Sequence, residues 1–322
     1  GQYTARPVLA SFAFIVVGLG LKAALFPLHT WQPDAYTYAS DTVTTFISAL
    51  VSTVAAYAIA RVILTVFTVA FFEAAPLARW AVLTFAAVSI LAGGLLAVVQ
   101  SEVKRMFAYS SVSQFGLVIA AFALATPDSV LGGVVHLVGH GLMKGGLFAA
   151  AAILAATHGA RTVDDYARLG YRSPVVAGVV AVLGLALVGI PPSIGFLGKY
   201  YIAVGAVRAG AWPVALVVFL STLLTLAYVA RLLERLYFAS PDAAPAPSLD
   251  AALADGGETE GESGADAAAP ASSNAGDTRT VRSVSVGMIA VVGLAAVAVV
   301  ALGFVSPGFE TLLEPFLGGV FP

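Results

Sequence analysis

Long apolar stretches constrain this 322-residue chain more than any other feature of its sequence. A helix needs about 20 apolar residues to cross the hydrocarbon core of a bilayer. Stretches of that order recur about eight times, at roughly 7–27, 43–70, 79–99, 106–126, 130–157, 174–207, 211–238 and 283–304. Backbone amides in lipid must be satisfied within the protein, and the alternation typical of a barrel is lacking. The sequence therefore predicts an all-α polytopic membrane protein.

Composition excludes several other classes of protein. Apolar residues make up 59% of the chain and charged residues only 11%, whereas soluble domains carry about 25% charged residues. Cysteine is absent, which excludes disulfides, thiolate metal sites and cysteine nucleophiles. No nucleotide-binding loop or hydrolase, metalloprotease or calcium-binding motif is present. These absences predict no cofactor, no metal and no nucleic-acid partner, and they make an enzyme the less favoured class without excluding it.

Three ionisable residues of the fifth stretch, His136, His140 and Lys144, lie four residues apart. They span about 80° around a helix and about 12 Å along it, so they form one polar stripe. Ionisable residues inside a membrane are costly and mark functional sites by default. Histidine titrates near neutral pH, and a lysine away from water exchanges its proton more readily. The stripe predicts a proton relay; the alternatives are a satisfied polar seam and, less favoured without a nearby carboxylate, a metal site.

A further intramembrane lysine, Lys199, follows two prolines within the stretch 174–207. That stretch is too long for one straight span, so we predict a helix broken at Pro191 and Pro192. Carbonyl groups freed by the break, together with water, would stabilise the lysine. The alternative is a lysine that snorkels to the interface.

The first stretch is a milder case of the same pattern. Lys22 lies five residues before Pro27, close enough to an interface that snorkelling is a stronger alternative than for Lys199. The short loop after it contains His29, Asp34 and Asp41, for which we favour a role as solvated turn residues over a role in gating water.

A weak internal repeat pairs the two broken stretches. Residues Ser52–Arg61 read STVAAYAIAR and residues Ser221–Arg231 read STLLTLAYVAR, and each run follows a segment with an intramembrane lysine. Duplicated halves with interrupted helices in matching places indicate a transport site. Chance similarity between two helices rich in small apolar residues is the alternative.

The distribution of basic residues predicts the orientation. One set of loops holds Lys104, Arg105, Arg161, Arg168, Arg172, Arg231 and Arg235, and the other mainly Arg6, Arg79 and Arg208. We expect the first set to be cytoplasmic. Residues 239–282 are acidic, without apolar periodicity, and predict a disordered cytoplasmic linker. They precede a final membrane helix at 283–304 and an outer tail at 305–322. The start at Gly1 favours a fragment or a processed product.

Four runs of the sequence resemble one family of membrane proteins. They are LKAALFPLHTWQPDAY (Leu21–Tyr36), SEVKRMFAYSSVSQFG (Ser101–Gly116), HLVGHGLMKGGLF (His136–Phe148) and GIPPSIGFLGK (Gly189–Lys199). In this order they are similar to the antiporter-like family, which comprises large subunits of Mrp-type cation/proton antiporters and related membrane subunits of respiratory complex I and of membrane hydrogenases. The resemblance covers roughly Gly18–Phe238.

The resemblance implies a fourteen-helix fold with two inverted five-helix repeats, of which this chain is helices seven to fourteen. Residues 1–70 are then the remainder of the first repeat and residues 79–238 the second. Lys22 matches the lysine of broken helix seven, Lys144 the central lysine of helix eleven and Lys199 the lysine of broken helix twelve. His136 and His140 match histidines that some members carry on helix eleven.

Two departures from the family pattern affect the expected function. Thr53 stands where many members have a lysine in helix eight, so transfer between the two half-channels needs water or another residue. The helix-five glutamate that pairs with the helix-seven lysine would lie upstream of this chain.

The resemblance implies a subunit of a multi-subunit complex in the cell membrane, with a chain or segment supplying the first six helices. We expect it to move protons in exchange for a monovalent cation, sodium first. The alternatives are a proton-pumping subunit of an NADH:quinone oxidoreductase or hydrogenase complex, and a structural half without transport.

Overall fold

The structure, a computed structural model, describes residues 3–239 and 285–321, so nearly all of the predicted linker lies outside the described residues. The described part is almost entirely helical, which confirms the all-α prediction. Its helices are α1 (Arg6–Lys22), α2 (Trp31–Tyr38), α3 (Asp41–Phe67), α4 (Val69–Ala74), α5 (Pro76–Val99), α6 (Val103–Leu124), α7 (Pro127–His158), α8 (Leu169–Arg172), α9 (Pro174–Val188), α10 (Ile194–Arg208), α11 (Trp212–Phe238), α12 (Val286–Ala301) and α13 (Ser306–Val320).

Six continuous helical segments are long and apolar enough to cross a membrane. They are α3, α5, α6, α7, α11 and the segment Val286–Phe304 that contains α12. The helices α1, α9 and α10 are shorter, at 17, 15 and 15 residues, because each is one part of an interrupted span. The chain is thus a polytopic membrane protein with broken helices, as predicted.

Local sequence signals set the boundaries of the helices around the predicted stripe. Thr126 and Ser129 form a reciprocal capping box at the start of α7, and Pro127 occupies its first position. Gly159 ends α7 with a φ of 70°, a left-handed conformation that glycine adopts without strain. At the start of α10, the Ser193 hydroxyl accepts a hydrogen bond from the Phe196 N–H.

The predicted break in the long stretch 174–207 is present. Helix α9 ends at Val188 and α10 begins at Ile194, with Gly189 between them at a φ of 93°. The break packs closely against neighbouring backbone: a Cβ on Gly195 would lie 1.9 Å from the Ala186 carbonyl oxygen. Glycine at this position therefore allows α10 to approach the end of α9.

The first interrupted span differs from the prediction. A helix, α2, occupies part of the predicted loop, and the Trp31 indole N–H donates to the Leu21 carbonyl at 2.8 Å across the break. His29 is buried rather than solvated, and it stacks on Phe26. Asp34 is partly exposed and forms an ion pair with Arg105. The sequence did not predict α2, because its residues are of mixed polarity and form no apolar run.

Helix α6 lies at the centre of the bundle, with nearly all of its residues buried. It packs against α5, α7 and α2, and α7 in turn packs against α10, α9 and α12. The basic residues gather at two opposite ends. At one end, Arg231 donates to Val98 and Arg235 pairs with Asp164; at the other, Arg208 pairs with Asp128. This grouping agrees with the two sets of loops in the sequence.

The last described helix, α13, lies within the predicted tail. Leu313 and Leu317 pack against the core, and the Tyr201 hydroxyl of α10 donates to Glu310 and bonds with Ser306. Helix α13 therefore folds back against the bundle beside α10.

Candidate functional site

Lys144 is fully buried in the middle of α7. Its Nζ donates to the Phe107 carbonyl at 2.8 Å and to the Ser110 hydroxyl, both on α6, and lies 5.6 Å from the centre of the Phe107 ring. Among the described residues no carboxylate pairs with it. A buried charge without a counter-ion is costly. The site therefore suits an amine that exchanges its proton rather than one fixed in an ion pair.

His136 is also fully buried, two turns before Lys144 on the same helix. Its Nε2 lies 2.8 Å from Gln114 Oε1, while no hydrogen-bonding group of the described chain reaches Nδ1. Gln114 continues the contact to Thr225 of α11 at 3.5 Å. The histidine is thus connected to α6 and α11 through an amide that both donates and accepts.

A column of polar side chains on α6 and α11 connects the surroundings of Lys144 and His136. Ser110 and Gln114 lie one helical turn apart on α6, next to Lys144 and His136 respectively. The Tyr228 hydroxyl lies beside Ser110, Gln114 and Thr225 without meeting the geometry of a hydrogen bond. Small rotations of these side chains, or a buried water molecule of the kind that often bonds to unsatisfied polar groups, would complete the connection.

The prediction from sequence did not include this column. Ser110 and Gln114 lie four residues apart within an apolar helix, on the same face, and that spacing was the available signal. Thr225 and Tyr228 belong to the second copy of the weak repeat, where no feature of the sequence distinguished them from packing residues.

Lys199 lies in the second turn of α10 and is only 5% exposed. Its Nζ donates to the carbonyls of Leu187 at 3.1 Å and Val188 at 2.9 Å. These carbonyls end α9, where the break leaves them without partners in their own helix and where the helix dipole favours a cation. The preceding residue, Gly198, touches His136: a Cβ on Gly198 would lie 2.9 Å from His136 Nδ1.

The remaining residues of the predicted site lie outside this chain of contacts. His140 is fully buried against the Phe115 ring, with no hydrogen-bond partner for either ring nitrogen among the described residues. Lys22 is exposed at the end of α1. Thr53 is half-buried, and its hydroxyl donates to the Ala49 carbonyl of its own helix. No three potential metal-ligating side chains converge within the described ranges.

The sequence profile of the family described as "NADH:quinone oxidoreductase/Mrp antiporter, TM" matches residues 3–225. NADH-quinone oxidoreductase subunit N of Desulforudis audaxviator is 38% identical over 233 residues, which are 71% of this chain and 46% of that protein. The chain spans about half the length of the curated relatives it matches.

Two solved structures are similar over nearly the whole chain. In the Mrp complex from Dietzia sp. DQ12-45-1b, one chain superposes with a TM-score of 0.77 at 25% identity, covering 98% of this chain and 59% of that one. In respiratory complex I from Thermus thermophilus, the TM-score is 0.74 at 24% identity, covering 96% of this chain and 57% of that one.

Proposed function

Because the chain belongs to the NADH:quinone oxidoreductase/Mrp antiporter membrane family, we propose that it moves protons as one membrane subunit of a larger complex. The observation that carries the proposal is the coordination of Lys144. A fully buried amine is held by a carbonyl and a hydroxyl of α6, and no carboxylate of residues 3–239 or 285–321 pairs with it. Such an amine can take up a proton and release it without breaking an ion pair.

The proposed route runs through the second half of the chain. A proton on Lys144 passes to Ser110, and through water and the Tyr228 hydroxyl it reaches His136, whose ring Gln114 holds in place. From His136 it reaches Lys199, whose charged form is stabilised by the terminal carbonyls of α9. His140 extends the polar stripe on α7, and its two ring nitrogens, which have no partner in the described part of the chain, are available to water. Each transfer moves one proton and changes no other bond.

We propose that an electron-transfer reaction elsewhere in the complex drives this movement. The similarity to subunit N proteins supports this reading, since those relatives are named as quinone oxidoreductase subunits. Exchange of protons for sodium or another monovalent cation, our first expectation from sequence, is the second candidate. The similarity to the Mrp complex supports that candidate.

We propose further membrane subunits, including a chain or segment that supplies the first six helices, as partners. The apolar surface around α1 supports this: Phe14 is 79% exposed, and a groove of about 740 Å³ between α1 and α5 is lined almost entirely by apolar residues. Such surfaces in membrane proteins pack against lipid or other helices. We place the basic end and the linker in the cytoplasm and α13 outside, following the distribution of arginine and lysine.

The test uses everted membrane vesicles from cells that carry chromosomal variants, with acidification of the lumen measured by quenching of an acridine dye. Acidification is started with NADH in one arm, and a pre-formed pH gradient is challenged with sodium in the other. We expect Lys144→Ala to abolish proton movement in the arm in which wild-type vesicles respond. Lys104→Ala, which removes a lysine at the basic end of the bundle, is the matched control.

Each outcome decides between the candidates. A response to NADH supports the redox-driven subunit, and a response to sodium supports the antiporter. Normal proton movement in well-assembled Lys144→Ala vesicles would contradict the relay and favour the third reading, a structural half without transport.

A further inference from the structure

We propose that Gln32, Tyr36 and Ser52 form an uncharged proton relay between the Lys22 side of the bundle and Lys144, in place of a charged side chain at position 53. This inference rests on the proposed function, because the relay would be one part of the proton route proposed above. It begins from a cluster of buried polar side chains that the route through the second half does not use.

The three side chains are fully buried and hydrogen-bonded to one another. Gln32 Nε2 donates to the Tyr36 hydroxyl at 2.9 Å and to the Ser52 hydroxyl at 3.3 Å. The two hydroxyl oxygens lie 3.0 Å apart. Residues of α2 and α3 thus meet in a closed triangle of hydrogen bonds, inside a bundle whose surrounding residues are mostly apolar.

Counting hydrogens shows that the triangle has capacity to spare. Tyr36 and Ser52 carry one hydroxyl hydrogen each, and only one of the two can lie between their oxygens. The other has no acceptor among the described residues, and Gln32 Oε1 likewise has no donor. A free donor and a free acceptor are the groups that an ordered water satisfies where movement of the neighbouring side chains makes room for it.

This arrangement can pass a proton without any residue becoming charged at the end. A proton arriving from water at Ser52 Oγ displaces the Ser52 hydroxyl hydrogen to the Tyr36 oxygen. The Tyr36 hydroxyl hydrogen then leaves to the next acceptor, and rotation of both hydroxyls restores the starting state. One proton enters and one leaves, so the covalent structure is unchanged.

Neighbouring residues lead from the cluster towards each of the two lysines that it would connect. Gln32 follows Trp31, whose indole contacts the Leu21 carbonyl next to Lys22. On the other side, the Tyr36 ring lies 5.5 Å from the Phe148 ring, edge to face. Phe148 lies 5.7 Å from Phe107, the ring over which the Lys144 ammonium lies at 5.6 Å. Two aromatic rings therefore separate Tyr36 from Lys144, and their movement would admit the connecting water.

The local helix geometry supports a role for Ser52 rather than Thr53. Residues Ile47–Val51 of α3 form a π-helical turn immediately before Ser52, a feature often found at functional sites. Ser52 is fully buried, whereas Thr53 is half-buried and donates back to the Ala49 carbonyl. At position 53 the chain thus has a hydroxyl that is engaged in its own helix, and one residue earlier it has a hydroxyl in the buried cluster.

The test compares Tyr36→Phe with Tyr166→Phe in the same vesicles. Tyr36→Phe keeps the ring but removes the hydroxyl that the relay needs. Tyr166 is a matched control because it is 1% exposed, its hydroxyl has no partner in the described part of the chain, and it lies at the basic end of the bundle. A positioned proton-transfer group typically contributes about 100-fold or more to a rate. We therefore expect Tyr36→Phe to slow proton movement by about 100-fold or more. Tyr166→Phe should not slow it, and both variants should assemble equally well.

The outcomes separate this inference from the proposed function. If Tyr36→Phe moves protons at the wild-type rate while Lys144→Ala is inactive, the relay is wrong and the proposed function stands. If Tyr36→Phe and Lys144→Ala both move protons normally, the relay and the proposed function are both wrong. A purely structural cluster would lower assembly or heat stability in Tyr36→Phe without a specific loss of rate per assembled complex. Should Tyr36→Phe fail to assemble, Ser52→Ala decides in its place: a normal rate overturns the relay, and a loss with normal assembly supports it.

Discussion

Replacing Gly198 with alanine tests whether the close approach of α10 to α7 holds His136 and Lys199 in register. A Cβ at this position would lie 2.6 Å from His136 Cβ and 2.8 Å from His136 Cα, whereas ordinary contacts begin at 3.4 Å. The two atoms at 2.6 Å and 2.8 Å are bonded to the helix backbone, so a side-chain rotation cannot relieve the clash. The helices must separate locally by about 0.8 Å.

That displacement has two measurable effects. Overpacking of this kind typically costs about 1–3 kcal/mol of stability, so the unfolding midpoint of the purified protein falls. A misplacement of about 1 Å can lower a reaction rate by about 100-fold when the reacting groups need a defined distance. We therefore expect proton movement in Gly198→Ala vesicles to fall by a factor of that order, measured by the same dye assay.

Gly178 of α9 provides the matched control, because an added Cβ there meets no atom within 4 Å. Gly178→Ala adds helix propensity of about 1 kcal/mol and should leave the rate unchanged and the midpoint equal or higher. If Gly198→Ala has a wild-type midpoint and a wild-type rate, the contact between α7 and α10 does not determine the spacing of His136 and Lys199. If Gly178→Ala shows the same loss as Gly198→Ala, the effect arises from alanine in any helix and the reasoning is refuted.

Two further predictions concern the hydrogen bonds of individual side chains. Gln114→Leu removes the acceptor 2.8 Å from His136 Nε2 and leaves a buried ring nitrogen unpaired. We therefore expect a loss of about 1–3 kcal/mol in the free energy of unfolding and slower proton movement. An unchanged unfolding midpoint would show that this hydrogen bond does not stabilise the protein. At the basic end, burial alone would raise the pKa of Asp165, but the hydrogen bonds that it accepts from the Thr162 and Arg161 N–H groups outweigh burial and lower its pKa. The stabilisation that Asp165 contributes is therefore present above about pH 4 and is lost as the pH falls through the lowered pKa of the folded state. The difference in unfolding midpoint between Asp165→Ala and wild type should shrink in acid. A difference that does not change with pH would refute this prediction.

The sequence was sufficient for the class of fold because span length and composition are averages over many residues. The break before Lys199 was also predictable, since two adjacent prolines cannot continue a helix. Helix α2 was not predictable in the same way. It is a short helix without apolar periodicity, and its burial depends on contacts such as that of Tyr36 with Phe148, which are distant in sequence.

The candidate site was predictable only where charge marked it. His136, Lys144 and Lys199 are costly in a membrane and therefore visible in the sequence. Ser110, Gln114 and Tyr228 carry no charge, and such residues are common in packed helices. Their relation to the lysines depends on the relative rotation of α6, α7 and α11, which the sequence of any one helix does not determine.

The two broken spans differ in a way that explains the division of the site. Lys199 follows its break and turns back to the final carbonyls of α9, so the same span supplies both the lysine and its acceptors. Lys22 precedes its break as the last residue of α1, and it is exposed. The carbonyls at the end of α1 are instead used by backbone N–H groups of the turn and by Trp31.

An exposed lysine at the end of a membrane helix is accommodated by snorkelling to the interface or by a polar group of another helix that covers it. The second half of the chain contains the acceptors for Lys199, whereas under the proposed function the first half takes acceptors for Lys22 from a neighbouring helix. Under the proposed function, a proton reaching Lys22 depends on that neighbour, and a proton on Lys144 does not. The uncharged cluster of Gln32, Tyr36 and Ser52 would then join the Lys22 side of the bundle to the half that contains Lys144 and Lys199.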